Sequence, residues 1–337
     1  MEKAVGVGGM SHFSAVLCGF YGMKNLGDEL LLQGMIDLFA SVGVGRDRLA
    51  VLSGDPDHTS RTYGVRSVSR WSPKDIWELC RSSQSLVLGG GGLFQDSTSV
   101  RSVSYYSGVM ALARMAGCVT WVYGNSLGPL SSFAGRSMAR LALKGVRSLA
   151  LRDRSSMALA NRLGLKAVMC PDPVTALSLE RAYGDRVLVN LRPWDGRLEI
   201  EAARAIGGYL SSRSLTAVGV AMAPEDRDLM EGLVGKGLLD LEDIVLPDGA
   251  NHPVWRSGGF SVGMRLHFNV LSSLSGIPGV AVPYDPKVRD YGSSVGYGVL
   301  GHGGTIEPSG PDFSWLESCK EMSGEVFRSC WKDVIKP

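Results

Sequence analysis

Four consecutive glycines, Gly89-Gly90-Gly91-Gly92, stand directly behind the apolar run Ser85-Leu86-Val87-Leu88 and confine this chain to few folds. An apolar run of that length reads as a buried parallel strand. Glycines at its carboxyl end make a turn in which no side chain separates a ligand from the backbone. In open α/β sheets that edge is where ligands bind. The same rhythm runs through the chain: strand-like segments ending in small residues (14–19, 49–52, 119–123, 148–151) alternate with amphipathic segments of helix length (27–42, 105–116, 137–144, 155–163). Alternation of this kind predicts βαβ units and a parallel sheet. Trp71-Ser72-Pro73-Lys74-Asp75 opens a further helix, with a serine N-cap and a proline at the first helical position. Asp55-Pro56-Asp57 reads as a chain break.

A length of 337 residues suits two domains of about 150 residues each. The best linker is Cys170-Pro171-Asp172-Pro173 with the polar segment 179–186. The expected units are therefore 1–178, a second α/β half over 187–312, and a terminal helix in 313–337 packing on one of them. The formal net charge of +2 is too near neutral to imply nucleic-acid binding through a basic surface, and none is expected. Six scattered cysteines without a Cys-x-x-Cys pair read as small core residues in a reducing compartment, not as metal ligands. The first nine residues lack the apolar core of a signal peptide, and no apolar stretch reaches the roughly 18 residues of a membrane helix. The expected location is cytoplasmic, at most in contact with a membrane from outside.

Three loops of the first half share one sheet edge. Gly19-Phe20-Tyr21-Gly22-Met23-Lys24-Asn25-Leu26-Gly27-Asp28-Glu29 joins the first strand to a helix, and a ligand there would meet unpaired backbone N–H groups. Its glycine spacing is not the dinucleotide fingerprint. Asp28 and Glu29 are either ordinary first-turn acids or a base for a substrate hydroxyl. The glycine run leads into Gln95 and Asp96 and then Ser97-Thr98-Ser99, a capped polar segment. Gly124-Asn125-Ser126-Leu127-Gly128-Pro129 ends the next strand in the same manner. Arg152-Asp153 after a strand is either a structural ion pair or an arginine fork for a carboxylate or phosphate. In the second half, Gly263-Met264-Arg265-Leu266-His267 places Arg265 and His267 at a strand-to-helix junction, where an anion is attracted. The competing reading is a core histidine, because His267, Leu271 and Leu274 share one helical face. Lys287, after the next strand, would complete an Arg, His and Lys site for a small polyanion.

Gly-Phe-Tyr-Gly-x-x-Asn-x-Gly-Asp-Glu at 19–29, Gly-Gly-Gly-Gly-Leu-x-Gln-Asp at 89–96, Arg152-Asp153, Asp172-Pro173, Leu191-Arg192-Pro193-Trp194, Gly263-Met264-Arg265-Leu266-His267 and Tyr284-Asp285-Pro286-Lys287 occur in this order. Together they resemble the polysaccharide pyruvyltransferases, specifically the bacterial CsaB type, over roughly residues 14–300. The resemblance implies an α/β fold of two Rossmann-like domains facing a cleft, in GT-B-like glycosyltransferase architecture. It also implies transfer of a pyruvyl group from phosphoenolpyruvate to a sugar as a cyclic ketal, with phosphoenolpyruvate as co-substrate and neither cofactor nor metal. Arg152, Arg265, His267 and Lys287 are then expected to hold the donor. The acceptor is expected against the amino-terminal domain at Tyr21, Asn25, Gly90, Gly91, Gln95 and Asp96, with Asp28 as base. His267 is the side chain best able to protonate the donor near neutral pH, with Arg265 as its rival. The implied acceptor is an amino sugar of a wall-polymer precursor carried on a polyprenyl diphosphate, with transient contact at the inner membrane face. Relatives more often show Gly-Gln-Gly-Ile-Gly-Pro at 124–129, a departure that bears on the acceptor. The rival readings are a nucleotide-sugar glycosyltransferase on the same fold and a non-catalytic glycan-binding protein. A neutral glycan alone would not need the cation cluster.

Overall fold

The structure, a computed structural model, describes residues 12–96, 100–301 and 304–336. The amino-terminal segment and Ser97-Thr98-Ser99 lie outside the described residues. In chain order the first half runs β1 (Phe13–Cys18), α1 (Leu26–Ser41), β2 (Leu49–Ser53), α2 (Pro56–Tyr63), β3 (Arg66–Ser69), α3 (Pro73–Arg81), β4 (Ser83–Phe94), α4 (Val100–Met115), β5 (Val119–Leu127), α5 (Phe133–Lys144), β6 (Leu149–Leu151), α6 (Arg154–Arg162) and β7 (Val168–Met169). The second half runs β8 (Arg186–Asn190), α7 (Leu198–Arg213), β9 (Ala217–Val220), α8 (Pro224–Gly235), β10 (Asp243–Val245), β11 (Gly258–Gly263), α9 (Leu266–Leu274), β12 (Gly279–Ala281), α10 (Pro286–Ser294), β13 (Gly298–Val299) and α11 (Phe313–Ile335).

The first sheet has the order β3-β2-β1-β4-β5-β6-β7 and the second β10-β9-β8-β11-β12-β13. All their named strand pairs are parallel. Both orders start from a central strand, add neighbours outward on one side, and then cross over. The reversal leaves a crevice between β1 and β4 and another between β8 and β11, at the carboxyl ends where such sheets bind ligands. The fold class expected from the alternating pattern is the observed one.

Three local expectations fail, and one strand was not expected, each for an identifiable reason. The glycine run is not a turn. Gly89 pairs with Tyr123 and Gly91 with Asn125, so β4 continues through it to Phe94, with a register shift before that residue. Gly90 and Gly91 have φ of 78° and 84°, and these left-handed positions bend the strand without ending it. The adjacent segment from Gly124 to Leu127 is likewise buried strand, because β4 supplies it with a partner. Asp55-Pro56-Asp57 starts a helix, since the Asp55 side chain accepts from the His58 N–H and Pro56 takes the first helical position. β3, only four residues long and without a fully buried side chain, has too little apolar content to be read from sequence.

Three cores hold the layers together. One lies under α3, α4 and α5 on the outer face of the first sheet, and another under α7 and α8 on the outer face of the second. The third is shared by both halves, running from Leu17 and Phe39 through Val174 to Phe268 and Tyr291. α11 crosses back to close it. Phe327 packs edge-on against Phe39 and Tyr123, each at 5.0 Å, and Trp331 lies 5.3 Å from Phe39. Near its start, Trp315 meets Tyr291 of α10 at 5.6 Å. Aromatic pairs of this kind add about 0.5–1.5 kcal/mol each beyond their buried area, so α11 clamps the halves in one relative placement. All six cysteines are buried and unpaired. Among the described residues, no helix is long and apolar enough to cross a membrane.

Candidate active site

The carboxyl ends of the two sheets face each other across a cavity of about 140 Å³. Asn25, Gly27, Asp28, Gly91 and Arg152 line it from the first half, and Arg192, Arg265, His267, Tyr284 and Lys287 from the second. The strands flanking both crevices therefore contribute. The seam is tied by a backbone hydrogen bond from the Leu26 N–H to the Met222 carbonyl, 2.8 Å.

α1 begins at the cavity wall. The Asn25 side chain accepts from the Gly27 N–H at 3.0 Å and caps the helix. Two acids follow, and they part company. Glu29 accepts from the Gly22 N–H at 2.7 Å and from the Tyr63 hydroxyl at 3.0 Å, so it braces the loop. Asp28 has no hydrogen-bond or ion-pair partner among the described residues and opens on the cavity. Burial pushes its carboxyl up to about 6, although His267 and Arg152 pull it back down.

α9 begins on the opposite wall. Asn190, fully buried at the end of β8, accepts from the Arg265 N–H at 2.9 Å and so fixes where the helix starts. Within that first turn His267 points back across the seam. Its Nε2 lies 3.4 Å from Asp172 Oδ2 and 3.5 Å from an Arg152 guanidinium nitrogen, and its Nδ1 faces Gly27. A Cβ on Gly27 would sit 2.3 Å from that Nδ1, so only glycine lets the two helix starts meet. The core-histidine reading fails: His267 keeps polar company at the seam of the two halves.

The cations differ in how much charge they retain for a ligand. Arg152 forms its ion pair with Asp172, not with its neighbour Asp153, which caps α6 through the Ser156 N–H at 2.7 Å. Burial alone would raise Asp172, but Arg152 and His267 hold it well below the usual carboxylate range. Arg265 donates through Nε and Nη2 to Asp226 at 2.7–3.2 Å and to Glu225 at 2.9 Å. Burial opposes its charge, but the bonds it donates to Asp226 keep it above the ordinary arginine value, so Arg265 is a fixed cation and no proton donor. Lys287 lies 3.4 Å from Asp285. Arg192 has no carboxylate partner among the described residues. It donates to the Tyr284 hydroxyl at 3.3 Å and lies over the Tyr284 and Trp194 rings. Arg192 is thus the cavity cation not offset by a carboxylate of its own, and with two helix amino termini at hand it offers an anion a partner.

The structure thus brings together Asn25, Asp28, Gly91, Arg152, Arg265, His267 and Lys287 of the residues singled out from sequence. It does not bring the others. Tyr21 is fully buried and donates its hydroxyl to the Gly89 carbonyl, which makes it a core residue. A Cβ on Gly90 would strike Leu31 at 2.5 Å, so this glycine accommodates α1, not a ligand. Asp96 accepts from the Ser131 and Ser132 N–H groups at 2.6 and 2.8 Å and anchors the start of α5. Gln95 beside it does not line the cavity. Sequence reasoning missed the roles of Arg192, Asp172 and Tyr284. Each stood inside a recognised motif, but the ionic partnerships that distinguish them are contacts between distant segments.

A search of curated proteins returns no match. Among solved structures, the fold is similar to UDP-N-acetylglucosamine 2-epimerase from Rickettsia bellii (10% identity, TM-score 0.56, covering 96% of this chain and 95% of that one). It is also similar to a putative UDP-N-acetylglucosamine 2-epimerase from Listeria monocytogenes (9%, TM-score 0.55, 96% and 90%) and to a glycosyltransferase from Rickettsia africae ESF-5 (7%, TM-score 0.54, 96% and 93%). At such identities the likeness establishes architecture alone: two facing α/β halves of the glycosyltransferase and epimerase kind. The family model described as polysaccharide pyruvyl transferase matches residues 25–218, from the cap of α1 into β9, and the chain belongs to that family.

Proposed function

We propose that this protein transfers the pyruvyl group of phosphoenolpyruvate to a glycan as a cyclic ketal, releasing phosphate, in the manner of the CsaB-type enzymes. The observation that carries this reading is the single cavity in which Asp28 of one half faces His267 and four cations. Phosphoenolpyruvate is small and carries a carboxylate and a phosphate. Fixed cations and two helix amino termini replace the water it leaves behind. Arg192 is the cation freest to meet it, while Arg152, Arg265 and Lys287 are held in place by their carboxylates.

Asp172 lies beside Nε2 of His267 and orients the ring, leaving Nδ1 on the side of Gly27 and the cavity. In this scheme His267 gives a proton to the enol C3, and the C2–C3 π pair forms the new C–H bond. C2 becomes electrophilic as the first sugar hydroxyl attacks it and passes its proton to Asp28. The C2–O bond to phosphate then breaks, a second hydroxyl forms the second C–O bond, and its proton returns to His267. Asp28 releases its proton to solvent. The acceptor enters from the side of Asn25, Asp28 and Gly91, and a polyprenyl-diphosphate-linked precursor at the inner membrane face fits this reading. The discriminating experiment incubates the protein with phosphoenolpyruvate and lipid-linked amino-sugar disaccharides. Inorganic phosphate with a carboxyethylidene gain on the glycan supports pyruvyl transfer. Nucleoside diphosphate released from a nucleotide sugar instead would support the glycosyltransferase reading.

A further inference from the structure

The same sheet edge carries a second feature that the donor site does not use. Arg70, following β3, is 2% exposed and has no carboxylate partner among the described residues. Its guanidinium donates to the Gly19 carbonyl at 2.8 Å and the Tyr106 hydroxyl at 3.0 Å, while its Nε has no hydrogen-bond partner. Four rings surround it, with centroids at 4.7 Å (Tyr105), 4.9 Å (Trp71), 5.4 Å (Phe20) and 5.7 Å (Tyr106). A buried cation compensated by ring faces and two neutral hydrogen-bond acceptors fixes those rings in place. The Tyr105 hydroxyl adds a bond to the Arg70 carbonyl at 2.8 Å. Yet two of the rings so fixed face outward: Trp71 is 60% exposed and Phe20 39%. An arrangement built only for stability would bury them.

We propose that Phe20, Trp71 and Tyr105, set around Arg70, form a stacking platform for a sugar ring of the acceptor beyond the one that is modified. Phe20 belongs to the β1–α1 loop that ends at Asn25 on the cavity wall, so the platform and the acceptor side of the cavity share one loop. Because Arg70 is enclosed, an occupant meets ring faces and no free charge. The matching chemistry is the C–H face of a neutral pyranose, not an anion. This inference rests on the acceptor being a glycan, as pyruvyl transfer requires.

The test uses the whole protein on an array of N-acetylhexosamine and hexose oligosaccharides of increasing length. Wild type should bind oligosaccharides in preference to single sugars. Trp71→Ala should weaken that binding on the order of ten- to thirty-fold, and Trp71→Phe should restore most of it. Equal binding by wild type and Trp71→Ala, or no glycan bound by wild type, overturns the platform. Phosphate release from phosphoenolpyruvate is followed in parallel. Intact phosphate release with a glycan acceptor and an indifferent Trp71→Ala defeats the platform alone. Trp71-dependent glycan binding without any phosphoenolpyruvate turnover defeats the pyruvyl-transfer reading alone.

Discussion

Replacing Asp28 by asparagine should make the protein more stable and less active at once. The carboxyl sits on a cavity wall without a hydrogen-bond partner among the described residues, and burial moves it from an ordinary 3.8 up to about 6. A raised carboxyl stabilises the folded state only in its neutral form. As pH rises above the unfolded value, the unfolded chain loses its proton first, so the folded state becomes relatively less stable until pH passes about 6. From there the penalty is constant. A shift of this size corresponds to roughly 3 kcal/mol, reduced to about 2 kcal/mol because cavity water screens the charge. Asp28→Asn removes the ionisation and keeps the shape. Its melting temperature should exceed wild type by roughly 3 °C at pH 8, and the gain should vanish below roughly pH 3, where the Asp28 carboxyl is neutral in both the folded and the unfolded state. The same variant should lose turnover, and the wild-type kcat/KM should show an acidic limb near pH 6. An Asp28→Asn protein that is destabilised at pH 8, or that keeps wild-type turnover and pH profile, would refute this role.

His267→Ala should lower turnover by about two to four orders of magnitude with an unchanged circular dichroism spectrum; near-normal turnover removes His267 from the chemistry. Gly27→Ala places a Cβ 2.3 Å from His267 Nδ1 and should cut kcat about as severely while leaving most of the stability, as measured by steady-state kinetics beside a thermal melt. Arg265→Lys loses the forked contact with Asp226 and should raise the KM for phosphoenolpyruvate; an unchanged KM would show that this cation does not hold the donor.

The sequence carried the architecture because the signals for it are local. Strand runs such as Leu86-Val87-Leu88, the serine and proline opening α3, and the alternation of strand and helix need no knowledge of distant contacts. The junction at Arg265 and His267 was legible for the same reason: helix starts beside strand ends are a local pattern with a known electrostatic consequence. What escaped were decisions made by neighbours remote in sequence. Gly90 and Tyr21 look available to a ligand until Leu31 and the Gly89 carbonyl are seen to occupy them. Asp96 looks like a site residue until Ser131 and Ser132 claim it. Asp172 acquires its meaning only when β6 and α9 deliver Arg152 and His267 to it. The glycine run kept its importance with a changed role: it is a bent strand whose Gly91 faces Asp28, not a turn.

The most direct measurement runs the reaction in deuterium oxide with phosphoenolpyruvate and an amino-sugar acceptor, and reads the product by mass spectrometry and NMR. Protonation of C3 by His267 followed by ketal closure predicts inorganic phosphate and a glycan-linked pyruvyl group whose methyl carries one deuterium. Phosphoenolpyruvate left intact across acceptors, or a glycan pyruvylated without deuterium in its methyl group, would contradict the assignment of this cavity to pyruvyl transfer.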